Sequence, residues 1–265
     1  MDGSGDILSL ENIYLERGGT VILNGLSWRV RPGEHWAVVG PNGSGKTTML
    51  KVATGAMWPT EGDVWGLGAK YGTVDLRELR KRIGWVSAAL GEWMLSSEPA
   101  IDVVVSGYYA TFGIYDQPTA GDRERATELL AFLGCAEIAD RKYDLLSQGE
   151  KQKVLIARAL MAKAELLILD EAAAGLDLSA REVLLTAVEW IARQPGGPTL
   201  IFVTHHIEEI MPSFTHALVL KAGKILAAGP KGEVLTGETL TEAFGLHIEV
   251  DAAHERFWAR VAGHQ

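Results

Sequence analysis

Residues 40–48 have the composition and spacing of a loop that binds phosphate groups. They read Gly40-Pro41-Asn42-Gly43-Ser44-Gly45-Lys46-Thr47-Thr48 and match the pattern G-x-x-x-x-G-K-[ST]. Glycines let the backbone turn tightly, so that its N–H groups point at phosphate oxygens, and a following helix adds the positive end of its dipole. We expect Lys46 to reach the β- and γ-phosphates and the Thr47 hydroxyl to bind Mg²⁺. The alternative is a strand-to-helix turn without a ligand, but the apolar segment before the loop and the helical pattern after it favour nucleotide binding.

Two acidic residues follow a short apolar segment later in the chain. Asp170 and Glu171 come directly after residues 166–169, and a buried strand would carry them to the carboxyl edge of a sheet, where open α/β sheets bind ligands. Asp170 suits a contact to Mg²⁺, direct or through water, and Glu171 is placed to polarise a water for attack on the γ-phosphate. A strand that ends in solvated acids would look the same, but the phosphate loop upstream favours a catalytic pair.

Apolar patterning predicts the elements that hold these residues. Strands are expected at 7–15, 21–30, 35–39, 62–65, 83–86, 166–169, 199–203, 217–221 and 224–227, and helices at 46–54, 149–163 and 180–193. The alternation of strands and helices predicts an α/β fold. We expect a P-loop nucleotide-binding core with a parallel sheet flanked by helices (7–98 and 164–245), an N-terminal antiparallel β subdomain within it, an inserted α-helical subdomain (99–163), and a C-terminal tail (246–265).

Composition excludes several classes of protein. Of the 265 residues, 47% are hydrophobic and 22% are charged, which excludes extended disorder and a fibrous repeat. The net charge of −9 disfavours non-specific nucleic-acid binding. The single cysteine suits a reducing cytosol. No apolar run approaches the roughly 20 residues of a membrane-spanning helix, and the N-terminus does not resemble a secretion signal.

Residues 146–150 carry a family resemblance. They read Leu146-Ser147-Gln148-Gly149-Glu150 and precede a predicted helix. With the phosphate loop and the acidic pair, they make the chain strongly resemble the ATPase subunits of ABC transporters over about residues 7–250. The usual family pentapeptide is LSGGQ, and the resemblance implies that its serine and its backbone N–H groups close over the γ-phosphate held by the other subunit. The alternative, an ordinary helix cap, would need no glycine at position 149.

The resemblance implies roles for further residues, and two positions depart from the family. Asp177 matches the loop near the dimer interface, and His205 matches the histidine that contacts the γ-phosphate. Arg17 stands where an aromatic residue usually stacks on adenine. It either stacks its guanidinium on the base or is a plain surface arginine. Ala88 stands where a glutamine normally touches the metal and marks the joint to the helical subdomain.

The neighbouring His205-His206, followed by Glu208-Glu209, suggests a metal site as an alternative. Adjacent side chains on an extended segment point in opposite directions, so the pair is not expected to chelate one ion. We expect His206 to be an ordinary surface residue.

The resemblance implies ATP-driven dimerisation, with ATP and Mg²⁺ as cofactors. One chain carries one phosphate loop and one LSQGE, so a second copy arranged head to tail would complete two sites. The leading interpretation is the peripheral ATPase of a transporter, on the cytoplasmic face of the membrane, pairing with transmembrane permease subunits through residues 108–115. Residues 221–245 resemble importer ATPases for metal chelates and oxyanions.

Two other functions are weighed against a transporter. One is a soluble ABC ATPase that acts on the ribosome or DNA. The acidic balance, the single nucleotide site and the lack of a coiled-coil insertion disfavour it. The other is a kinase or GTPase built on the same loop, which the LSQGE segment and His205 disfavour.

Overall fold

The computed structural model describes residues 5–87, 97–109, 118–162 and 164–262. Among these, the strands are β1 (Leu8–Arg17), β2 (Thr20–Val30), β3 (Trp36–Val39), β4 (Glu61–Gly66), β5 (Ala69–Lys70), β6 (Ile83–Ser87), β7 (Leu166–Asp170), β8 (Thr199–Thr204), β9 (His216–Lys221), β10 (Lys224–Pro230), β11 (Ile248–Ala253) and β12 (Arg256–Val261). The α-helices are α1 (Lys46–Ala53), α2 (Leu76–Arg80), α3 (Ala100–Ser106), α4 (Ala120–Phe132), α5 (Gln148–Met161), α6 (Leu178–Ala192), α7 (Lys231–Val234) and α8 (Gly237–Phe244). Short 3-10 helices are η1 (Ala136–Ile138), η2 (Tyr143–Leu145) and η3 (Ile207–Glu209).

The chain divides into two units, residues 1–79 with 199–265, and residues 80–198. The first unit contains an antiparallel sheet of order β2-β1-β4-β5. Its opening hairpin turns at Gly18 and Gly19, whose φ values of 56° and 77° are those of a tight turn with left-handed residues. The predicted N-terminal antiparallel subdomain corresponds to this sheet.

The first unit also contains the strands that lead to the phosphate loop. Strand β3 pairs in parallel with β8 on one side and with β9 on the other, and β10 pairs antiparallel to β9. Every residue of β3 and β8 is buried, as expected for parallel strands covered on both faces. In this register Val39 lies opposite Thr204. The residues that follow β3 and β8 therefore leave the sheet at the same edge.

The second unit holds helices α3–α6 and the parallel pair of β6 and β7. The last residues of these strands, Ser87 and Asp170, lie opposite each other. Helix α5 buries positions spaced three and four apart, among them Gln152, Leu155, Ile156 and Ala159, the spacing of an amphipathic helix. The predicted α/β class is confirmed, and the predicted domain boundaries stay a prediction.

The C-terminal region forms a hairpin that the sequence did not indicate. After α7 and α8, strands β11 and β12 pair in register from Ile248 opposite Val261 to Ala253 opposite Arg256. The turn residues His254 and Glu255 have φ values of 51° and 61°. Because two-residue hairpin turns of this kind are usually marked by Asn or Gly, this pair gave no turn signal. No helix among the described residues is long and apolar enough to cross a membrane.

Candidate functional site

The phosphate loop lies between β3 and α1. Gly40 has φ 158°, and a Cβ there would lie 2.3 Å from the carbonyl oxygen of Leu220. Gly45 caps α1 with φ 106°, in the region that disfavours side chains. Two of the loop's glycines are thus required by the backbone. The N–H groups at the start of α1 form the kind of helix end that binds anions.

Lys46 is buried inside this loop. Its side chain is 5% exposed, and Nζ donates to the carbonyl oxygens of Gly40 over 2.8 Å and Pro41 over 3.1 Å. A buried ammonium group needs such partners, and here the loop itself supplies them. Ser44 Oγ is also buried, and it has no hydrogen-bond partner among the described residues. Thr47, the next residue along α1, is exposed.

His205 follows β8 at the edge from which the phosphate loop also leaves. It is half-buried and its ring lies 4.2 Å, centroid to centroid, from the ring of His206. The expectation that these two side chains point in opposite directions is wrong, because the strand ends at Thr204 and the chain turns at once into η3. Among the described residues, no group of three or more His, Cys, Asp or Glu is arranged to hold a metal.

The acidic pair ends β7 in the second unit. Asp170 is 5% exposed and lies opposite Ser87. Glu171 is half-buried and has φ 52°, a left-handed conformation that costs free energy in a residue with a side chain. Such strain is concentrated at functional sites, and here it turns the chain directly after the buried aspartate.

Residues 146–150 form the start of α5. Ser147 is the N-cap: its Oγ accepts from the backbone N–H of Glu150 over 3.3 Å, and Glu150 Oε2 accepts from the N–H of Ser147 over 2.7 Å. This reciprocal arrangement is a capping box. Arg141 donates to Glu150 Oε1 over 2.9 Å. The Ser147 N–H and hydroxyl, together with Arg141, hold the pKa of the Glu150 carboxyl below its usual range.

The other members of this segment differ in exposure. Leu146 is buried, whereas Ser147 and Gln148 are exposed. A Cβ at Gly149 would lie 3.4 Å from Cβ of Ala180, an ordinary contact. The fold of this unit therefore accepts a side chain at position 149.

The remaining predicted positions are found on the surface or beyond the described residues. Asp177 is exposed and caps α6, with Oδ1 accepting from the N–H of Ala180 over 2.8 Å. Arg17 is exposed at the end of β1. Ala88 lies outside the described residues, as does part of the segment 108–115.

Sequence reasoning missed two contacts near these residues. The Arg141 ion pair with Glu150 had no signal, because the partners lie nine residues apart across η2. A buried hydrogen bond from Thr204 to Glu209 was also missed, although a Thr and a Glu flanking a predicted site residue were visible.

Comparison with known proteins decides the family. The sequence profile of the family described as ABC transporter matches residues 23–174. The chain belongs to the ABC transporter ATP-binding family. It is 46% identical over 245 residues to YlmA of Bacillus subtilis (strain 168), named an uncharacterized ABC transporter ATP-binding protein, and the match covers 92% of this chain and 93% of YlmA.

Two further similarities extend this result. The chain is 33% identical over 262 residues to the cobalt import ATP-binding protein CbiO of Rhodobacter capsulatus, covering 97% of this chain and 91% of CbiO. It also resembles a dimeric ATP-binding cassette in a post-hydrolysis state with ADP and Pi, at a TM-score of 0.73 and 26% identity, covering 84% of this chain and 98% of that one. The chain is an ABC transporter ATP-binding subunit of the ATPase class that binds ATP or ADP.

Proposed function

We propose that residues 40–48 bind the phosphates of MgATP and that two copies of the chain, arranged head to tail, hydrolyse it. The observation that carries the proposal is the register of β3 and β8. It brings the phosphate loop and His205 to one sheet edge, where open sheets bind ligands. Lys46 exchanges its loop carbonyls for the β- and γ-phosphates, and His205 contacts the γ-phosphate.

Two residues of the chain carry donor atoms of the kind that suits a magnesium ion. The hydroxyl of Thr47 and the carboxylate of Asp170 are hard oxygen donors, the type that Mg²⁺ prefers. These two side chains would hold the ion. When bound, the ion would neutralise part of the phosphate charge.

Glu171 is the proposed general base. It takes the proton of the attacking water, and it lies directly after β7 with a φ of 52°. Arg17, exposed at the end of β1, stacks its guanidinium on the adenine ring.

The partner copy contributes residues 146–150. Ser147 presents an exposed hydroxyl and a helix start, which together suit an anion. This unit accepts a Cβ at Gly149, and we propose that the glycine instead allows the partner's γ-phosphate to approach closely. Asp177 lies near the same interface.

The dimer drives a transporter, as the name of the cobalt import relative suggests. The chain pairs with transmembrane permease subunits on the cytoplasmic face of the membrane, and its cargo class is a metal chelate or an oxyanion. Purification from native membranes tests this part: integral membrane proteins should copurify. Recovery only with ribosomes or DNA would favour a soluble ABC ATPase.

Turnover tests the catalytic part. Glu171→Gln should bind ATP normally and hydrolyse it about 10²–10⁴-fold more slowly, as loss of a general base predicts. A fall of less than threefold would mean that another group is the base.

A further inference from the structure

The position of His205 depends on the turn that follows it. After Thr204 the chain enters η3, one turn of 3-10 helix at Ile207–Glu209. Hydrogen bonds in such a turn are poorer than those of an α-helix. Contacts made by side chains therefore contribute much of what holds this turn.

The buried carboxylate of Glu209 forms a hydrogen bond across this turn. The Thr204 hydroxyl donates to Oε2 of Glu209 over 2.6 Å, and Thr204 Oγ1 accepts from the N–H of His206 over 2.9 Å. Thr204 and Glu209 are 2% and 4% exposed. A hydroxyl-to-carboxylate bond of this length is about twice as strong as a neutral one. The two bonds hold the chain immediately before and after His205.

A residue of the C-terminal hairpin, Arg256, also forms hydrogen bonds with this turn. Arg256, the first residue of β12, donates through Nε to the carbonyl oxygen of Glu208 over 2.8 Å, and Nη2 donates to the same oxygen. The Arg256 guanidinium lies 5.6 Å from the ring centroid of Trp258, a cation–π contact that restrains it. The hairpin and the turn that it contacts both lie beyond residues 23–174.

We propose that Glu209 and Arg256 are positioning residues for His205, and that the C-terminal hairpin thereby takes part in ATP hydrolysis. Glu209 restrains the start of the turn through its hydrogen bond with Thr204. Arg256 restrains the end of the turn through its hydrogen bonds with the carbonyl oxygen of Glu208. The inference rests on the proposed contact of His205 with the γ-phosphate. A displacement near 1 Å at such a contact costs on the order of 10²-fold in rate, and the loss of one of two restraints is expected to displace His205 by less than that.

Steady-state hydrolysis separates positioning from binding. Glu209→Leu and Arg256→Ala should each lower kcat about tenfold and leave KM for ATP within about twofold, because residues 40–48 still bind the phosphates. Glu209→Gln should retain most of the activity, since its amide oxygen accepts from Thr204. Arg260→Ala is the matched control: Arg260 lies on the same hairpin and pairs with Glu249 over 2.7 Å on the surface, so kcat should not change.

A second set of variants shows whether the effect acts through His205. His205→Ala should lower kcat about 10²-fold, as loss of one contact to the transition state does. Adding Glu209→Leu or Arg256→Ala to it should cause no further loss, and an equal further loss would overturn the proposal. Unchanged kcat in the Glu209→Leu and Arg256→Ala single variants, with His205→Ala impaired, would overturn it while leaving the proposed function intact.

Two outcomes concern the proposed function and protein folding. If His205→Ala hydrolyses ATP normally, the proposed role of His205 fails, and the positioning inference fails with it. If Glu209→Leu does not fold, as judged by thermal unfolding, Arg256→Ala decides alone, since its side chain lies on the hairpin and not in the core.

Discussion

The substitution Glu150→Gln keeps the size of the side chain and removes its negative charge. The Glu150 carboxylate accepts the N–H of Ser147 over 2.7 Å and pairs with Arg141 over 2.9 Å. A hydrogen bond to a charged group contributes about 1 kcal/mol more than a neutral one. A partly exposed ion pair adds about 0–1 kcal/mol, and a negative charge in the first turn of a helix about 0.3–1 kcal/mol. Because these terms overlap, the variant should lose about 1–2 kcal/mol of unfolding free energy at pH 7.

The loss should depend on pH in a defined direction. The pKa of the Glu150 carboxyl is lowered in the folded chain from its ordinary value of 4.5. The folded state therefore holds the ionised form more strongly than the unfolded state does, and this stability is fully present above pH 4.5. As pH falls below that value, the unfolded chain takes up the proton first. The difference between wild type and Glu150→Gln should then shrink.

Denaturant unfolding between pH 7 and pH 4, followed by tryptophan fluorescence, measures this difference. Glu137→Gln is the matched control, because Glu137 is an exposed acid in the same unit, and it should change the free energy of unfolding by less than about 0.5 kcal/mol. A Glu150→Gln variant as stable as wild type at pH 7, or a difference that grows as pH falls, would refute the reasoning.

Three further predictions concern separate parts of the chain. Lys46→Ala should weaken ATP binding about 10²-fold, as measured by calorimetry with Mg²⁺. The control Lys51→Ala, on the same helix, should bind ATP normally, and normal affinity in Lys46→Ala would contradict the assignment of the loop. Gly149→Ala should unfold at the same or a higher temperature, since its Cβ fits and alanine favours helix, yet should fail to dimerise with ATP; normal dimerisation would remove the argument for the glycine. Burial raises the pKa of the Cys135 thiol to about 11, so at pH 8 maleimide should label the native thiol about 10²-fold more slowly than the unfolded one, and equal rates would show that the thiol is accessible.

Local patterns made much of the fold and site predictable. The strand-to-helix turn at residues 40–45 and the apolar strand before Asp170 each depend on a few consecutive residues, and the structure has β3, α1 and β7 at these places. The β11–β12 hairpin was missed because its turn carries no glycine or asparagine. The contact of Arg256 with Glu208 joins residues 48 apart, and no local pattern reports such a distance.

The capping box at residues 147–150 shows that the helix cap, which the sequence offered as the alternative to a family motif, is present. A serine followed three residues later by an acid before a helix is a recognised cap, and Ser147 and Glu150 form it. The negative charge of Glu150 is paired with the positive charge of Arg141. This ion pair could not be predicted from the sequence, because Arg141 and Glu150 come together only when the intervening residues fold into η2.

Light scattering of the Glu171→Gln variant tests ATP-driven head-to-tail dimerisation most directly. With Mg²⁺ and ATP the variant should bind nucleotide without hydrolysing it, and its mass should double. The double variant with Ser147→Arg should bind ATP and remain a monomer, since the added bulk and charge occupy the place of the partner's phosphate. A Glu171→Gln chain that is saturated with ATP and still monomeric, or a dimer that forms equally well with Ser147→Arg, would contradict the account.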